Sequence, residues 1–225
     1  TAVLPATDGV TQYEAEGIFS DGRFQFRRAG GLQALGVALE DNRGVVVDNF
    51  SLRGNSGVTL SRLDRASCLR LNEIRPYDLI VLQYGLNVAA ENLHNYTWYR
   101  EQMTEVILHV RQCFPTSDIL LLGVSDRSHY RDGAFRTIPA VVSLQKAQRQ
   151  AAEAAEVTFW STFRAMGGEN SMVRYVKNRW ASKDYTHLSF RGGRELAGAL
   201  YEALMLEKEW YDKMNENADE YEREP

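Results

Sequence analysis

From residue 43 onward, short apolar runs alternate with stretches in which apolar residues return every third or fourth position. The runs are Gly44-Val45-Val46-Val47-Asp48-Asn49, Leu79-Ile80-Val81-Leu82, Ile119-Leu120-Leu121-Leu122 and Val157-Thr158-Phe159-Trp160. Such unbroken β-branched and aliphatic segments suit strands buried on both faces. Between them, Leu60, Leu63, Leu71 and Ile74 carry a helix that Pro76 stops. Tyr99, Met103, Val106, Val110 and Phe114 carry a second, ended by Pro115. Val141 to Ala155 reads as an alanine-rich helix, and a last one runs from near Phe190 through Leu196, Leu200 and Leu204 to about Trp210. This alternation predicts an α/β fold of three layers, α/β/α, with a mostly parallel sheet. Sites in such sheets form at the carboxyl ends of the strands.

Residues 1–42 follow a different pattern. Val10 to Glu16 and Arg23 to Arg27 alternate as half-buried strands do, and Gly17, Gly22, Gly30 and Gly31 punctuate them as turns. Leu32 to Leu39 reads as a further strand in preference to a short helix. The expected organisation is a small β-rich segment over 1–42, an α/β domain over 43–212 and an acidic tail over 213–225. The tail is expected to be a frayed helix end or disordered. With Thr at position 1, the chain is expected to be processed or part of something longer.

Composition narrows the function classes. At 225 residues and 44% hydrophobic, the chain can bury a sizeable core. A formal net charge of −4 argues against a nucleic-acid partner. No apolar run reaches the length of a membrane span. Cys68 and Cys113 are too few for a disulfide framework and lack zinc-site spacing, so both are expected to be buried free thiols.

Chemistry-bearing residues fall where the strands end. Arg53-Gly54-Asn55-Ser56-Gly57-Val58-Thr59-Leu60 follows the first run, and Gln83-Tyr84-Gly85-Leu86-Asn87 the second. Gly57 can present a backbone N–H to an anion, and Asn87 can aim its amide at the same point. Together they can serve as oxyanion-hole donors in acyl transfer. Asp184-Tyr185-Thr186-His187-Leu188-Ser189 precedes the last helix. Its carboxylate, three residues ahead of the imidazole, can hold Nδ1–H while Nε2 faces a pocket. Each motif also has an ordinary reading: a βα turn for the glycines, a helix N-cap for Asn87, a solvated turn for Asp184.

In this order, the motifs resemble those of the SGNH hydrolase superfamily, the GDSL-type lipases and esterases, over roughly residues 43–206. The resemblance implies an SGNH/flavodoxin-like fold and gives Gly57 as the glycine of the second block and Asn87 as the asparagine of the third. Asp184 and His187 are the acid and base of the fifth. It implies a serine esterase needing neither metal nor organic cofactor. Ser125-Asp126-Arg127, Phe159-Trp160 and Ala165-Met166-Gly167-Gly168 resemble bacterial cell-surface members, among them peptidoglycan O-acetylesterases. In those members a β-sandwich is inserted after the nucleophile block, and residues 1–42 would be its last strands. An O-acylated cell-wall or other polysaccharide, or a short ester, is then the substrate, and the location is extracytoplasmic. Ser125, Asp126, Arg127, Tyr84, Met166 and Gly167 would line the substrate.

Two departures stand out: Val88 replaces the acidic residue that commonly follows the asparagine, and the Gly-Asp-Ser nucleophile block is absent. Phe19-Ser20-Asp21-Gly22 has the residue types in the wrong order and setting, and neither Ser56 nor Ser125 holds the nucleophile position. In the superfamily's fold the nucleophile strand lies between the next two strands, here Val45–Val47 and Leu79–Leu82. Without it their edges would be unpaired, at about 1–3 kcal/mol for each unsatisfied buried group. An upstream segment or a second chain is therefore expected to complete the sheet and bring the serine. Ala2-Val3-Leu4 cannot, since Pro5 ends it at once. Two other classes remain open: a non-catalytic glycan- or partner-binding relative, and an interaction subunit whose partner restores the site.

Overall fold

Three of the four apolar runs become strands of one parallel sheet: β1 (Leu79–Gln83), β2 (Asp118–Gly123) and β5 (Thr158–Ser161). Their order is β1-β2-β5, with Leu79 opposite Asp118 and Leu121 opposite Phe159. The structure is a computed structural model describing residues 10–18, 20–27, 30–41, 43–52 and 54–221. Ala2-Val3-Leu4, Phe19, Arg53 and residues 222–225 lie outside the described residues.

Helices connect and cover the strands. A 3-10 turn over Val58–Arg62 precedes α1 (Arg65–Ile74), and α2 (Thr97–Cys113) leads into β2. The hairpin β3 (Ser128–Arg131) and β4 (Ala134–Thr137) is followed by α3 (Pro139–Ala154). After β5 come α4 (Thr162–Met166), α5 (Ser171–Lys177) and α6 (Phe190–Tyr221). The single helix expected from Leu60 to Ile74 is broken at Asp64, whose carboxylate caps α1 by accepting from Ser67 N at 2.8 Å. α6 runs past Trp210 into the segment expected to be a frayed tail, carrying Lys208–Asp212 and Glu209–Lys213 pairs at i,i+4.

Period two along the strands divides the core. Ile119, Leu121 and Phe159 point to one face, where Tyr99, Met103, Val106 and Val110 of α2 meet Val141, Leu144 and Ala151 of α3. Trp160 points to the other, against Met166, Met172, Tyr175, Ala181 and Leu196. The α/β/α reading therefore holds for the sheet and its helices.

The fourth apolar run corrects an expectation. Gly44–Asn49 forms no strand, and Val45, Val46 and Val47 are 91%, 54% and 84% exposed. No strand occurs among the described residues of 10–52, so Val10–Glu16, Arg23–Arg27 and Leu32–Leu39 are not strands either. The reason is pairing: an isolated strand or hairpin buries too little to offset its ordering cost. Among the described residues β1 pairs only with β2, leaving its other edge open, with Leu79 41% and Val81 45% exposed. The chain divides into two units, Thr1–Arg53 and Gly54–Pro225, and residues 43–53 go with the first.

Candidate active site

Gly57 sits between the 3-10 turn and the core with φ of +89°, the left-handed region. A Cβ there would lie 2.8 Å from Tyr84 Cγ and 3.1 Å from Met103 Cε. Gly85, with φ of +110°, is confined likewise: a Cβ would come within 2.8 Å of both Gln148 Nε2 and Tyr99 Oη. Both loops are held from beneath. The buried Tyr99 hydroxyl donates to Ser56 O at 2.9 Å, and burial pushes its pKa well above the ordinary phenol value. Gln148, fully buried, donates from Nε2 to Tyr84 O at 2.8 Å and accepts from Val124 N at 2.9 Å, tying the loop after β1 to the end of β2.

Asn87 reaches across to the first loop, its Nδ2 donating to Gly54 O at 3.0 Å. One amide hydrogen is thus committed to the first loop. Gly57 N–H is also engaged, donating to Asn55 Oδ1 at 2.8 Å, while Asn55 Nδ2 donates to Thr59 Oγ1 at 2.6 Å. The two donors expected to share an oxyanion therefore lie in adjoining loops, with Gly57 N–H capped by Asn55.

The turn before α6 places Asp184 Oδ2 2.7 Å from His187 Nδ1. Asp184 Oδ1 accepts from Thr186 N at 2.9 Å, His187 N at 3.0 Å and the Ser182 hydroxyl. Desolvation opposes ionisation of this carboxyl. The hydrogen bonds from Ser182, from the backbone N–H and ring Nδ1 of His187 and from Thr186 outweigh it and hold its pKa well below the usual carboxylate range. The contact at Nδ1 orients the ring so that Nε2 faces away from the carboxylate. His187 is 78% exposed, and Nε2 has no hydrogen-bond partner among the described residues.

A chain of contacts links this turn to the two loops. Arg127 donates to Ala89 O at 3.1 Å, just past Asn87, and Ser128 N donates to Tyr185 O at 3.0 Å, between Asp184 and His187. His129 Nδ1 lies 3.6 Å from Glu91 Oε2 along the same seam.

The residues expected to line the substrate separate into two groups. Ser125, Arg127 and Tyr84 are half-buried and Gly167 is exposed, but Asp126 and Met166 have no exposed surface. Asp126 acts as an anchor: it accepts from Thr137 Oγ1 at 2.7 Å, Met172 N at 2.8 Å and Ser171 Oγ at 3.3 Å. Met166 belongs to the second core. Ser56 turns its carbonyl to Tyr99, and Ser20 lies in the first unit. Cys113 is buried, and Cys68 is half-buried.

Sequence reasoning missed Gln148, Tyr99 as a loop support, and the hairpin β3–β4. Asp132-Gly133, both with positive φ, between the alternating Ser128–Arg131 and Ala134–Thr137 was the available hairpin signal.

No protein-family model matches the sequence. The chain is 26% identical over 174 residues to a probable rhamnogalacturonan acetylesterase, YesY, of Bacillus subtilis (strain 168), covering 73% of this chain and 78% of that protein. It superposes on the solved structure of a peptidoglycan O-acetylesterase with a TM-score of 0.58 at 26% identity, over 66% of this chain. It spans 43% of that chain's length. The parallel sheet, the order of the motifs along the chain and these two likenesses relate the chain to the SGNH-type hydrolases.

Proposed function

We propose that the chain carries the acid, base and oxyanion donors of a serine-type esterase that removes acetyl groups from an O-acetylated cell-wall or other polysaccharide. The observation that carries this is the Asp184–His187 pair, its Nε2 free, linked by contacts to the loops of Gly57 and Asn87. The two acetylesterase likenesses support the choice of ester.

No serine hydroxyl meets His187 Nε2 among the described residues. The open edge of β1, with Leu79 and Val81 exposed, offers a place for one more parallel strand. A strand seated there, from another segment or a second chain, brings the nucleophilic serine to the carboxyl end of the sheet. The serine oxygen attacks the acetyl carbonyl while Nε2 takes its proton. Asn87 Nδ2 and Gly57 N–H, the latter passing from Asn55 Oδ1, hold the tetrahedral oxyanion. The imidazolium then protonates the departing sugar oxygen, and water repeats the sequence on the acetyl-enzyme. A polymeric cell-wall substrate implies an extracytoplasmic location. Among the described residues no helix is long and apolar enough to cross a membrane.

The capped Gly57 N–H and the unmatched Nε2 favour one second reading, a glycan-binding relative without a nucleophile. Hydrolysis of p-nitrophenyl acetate by protein with its sheet complete, with an Asp184→Ala/His187→Ala double variant as control, separates the two. Turnover abolished in the double variant, together with a serine labelled by a fluorophosphonate, supports the esterase. Equal slow hydrolysis by both preparations supports the binder.

A further inference from the structure

We propose that the hairpin β3–β4 is a sugar-binding arm, with Tyr130, Phe135 and Tyr185 forming an aromatic subsite for a polymer unit next to the acetylated sugar. The inference rests on the esterase reading for its direction and on the hairpin's geometry for its substance. Phe135 lies flat on Tyr185, ring centroids 3.5 Å apart and planes 7° apart. Tyr130 meets Phe135 edge-on at 5.2 Å. The three rings lead from the hairpin tip to the turn of Asp184 and His187, since Tyr185 sits inside that turn.

Chemistry decides what lies on this side. In ester hydrolysis the base that deprotonates the nucleophile returns its proton to the leaving oxygen, so the alcohol half of the ester sits against His187. The acetyl oxygen points the other way, toward Gly57 and Asn87. The wall continuous with His187 therefore receives the sugar. Its exposed ring is Tyr130, backed by the half-buried Phe135 and Tyr185, and a flat ring offers large contact area to the C–H face of a pyranose at low entropic cost.

The arm is also built to stay in place. Asp126 holds Thr137 at the end of β4, Thr137 N donates to Asn170 Oδ1 at 3.1 Å, and Asn170 N donates back to Thr137 Oγ1 at 2.7 Å. Ser128, paired with Thr137 at the same base of the hairpin, is fixed to Tyr185 O, and Ile138 N donates to Arg127 O at 3.0 Å. Tyr130 nevertheless remains 66% exposed. A large apolar ring on a rigid hairpin, with no core to serve, is pre-organised for a ligand. Its place beyond Phe135 in the series puts its occupant past the acetylated sugar, so the arm selects a chain over a single sugar.

The test compares native protein, Tyr130→Ala and Tyr130→Phe on two esters: an O-acetylated rhamnogalacturonan oligosaccharide, and ethyl acetate, which has no ring. Tyr130→Ala is expected to raise KM for the oligosaccharide about 2–10-fold. KM and kcat for ethyl acetate stay unchanged, and Tyr130→Phe restores the native value. Binding of the deacetylated oligosaccharide, followed by NMR titration, reads the arm without catalysis and should weaken by the same factor. In protein whose sheet is complete, Tyr130-dependent binding without esterase activity upholds the arm and removes the esterase reading. Active protein whose oligosaccharide KM and binding ignore Tyr130→Ala overturns the arm and leaves the esterase standing.

Discussion

Asp184 accepts four hydrogen bonds within its own turn, so the carboxylate that orients His187 also builds the loop that presents it. Two consequences follow at this residue. Asp184→Asn places an N–H where Nδ1 needs an acceptor, and in a complete active site the reversed tautomer lowers kcat by about 10⁴-fold. Because the folded carboxyl titrates far below the unfolded value of about 3.9, its stabilisation is complete above that pH and is lost as the pH falls below it. The melting-temperature gap between native protein and Asp184→Ala is therefore expected to shrink as the pH falls below about 4. The loop after β1 behaves differently. Asn87→Ala is expected to lower kcat by about 10²–10³-fold, with little change in melting temperature. Gly85→Ala, whose new methyl meets Gln148 and Tyr99 at 2.8 Å, is expected to cost stability instead. A loss of at least about 2 kcal/mol, or about 4–8 °C in Tm, follows from the left-handed backbone and the clash.

Among the elements, those supported by local pattern and by a packed neighbour were legible beforehand. α2 shows why: Tyr99, Met103, Val106 and Val110 repeat at helical spacing and all are buried, so sequence pattern and tertiary demand agree. The run at Val45–Val47 shows the reverse. Its composition suits a central strand, but a strand needs a neighbour, which no count of valines supplies. The hairpin β3–β4 went unread because its strands are short and its apolar positions few, although Asp132-Gly133 marked the turn. The open edge of β1 makes its own prediction. In hydrogen exchange, alternate amides of β1 exchange fast, while those of β2, paired on both sides, are protected. Addition of the proposed serine-bearing strand is expected to slow the fast set, and exchange unchanged by that strand would place it elsewhere.

For the whole molecule, the proposed site was legible as types and order of residues, and illegible as supports. Asp184, His187, Gly57 and Asn87 stand out because the proposed chemistry would restrict residue type at such spacing. Gln148 and Asp126 do not, since a buried polar anchor has no spacing rule and shows itself only through its partners. Met166 looked like part of a cleft motif, yet the fold uses it to fill the second core. The relation to acetylesterases and the contacts joining the loops converge on one claim: Asp184–His187, Asn87 and Gly57 act on a single carbonyl. The most direct measurement is kcat for a short acetyl ester in a double-mutant cycle on protein with its sheet complete. Groups serving one transition state are predicted to be non-additive, the Asn87→Ala/His187→Ala pair losing far less than the product of the single losses. Full activity in Asn87→Ala beside an inactive His187→Ala would contradict the account.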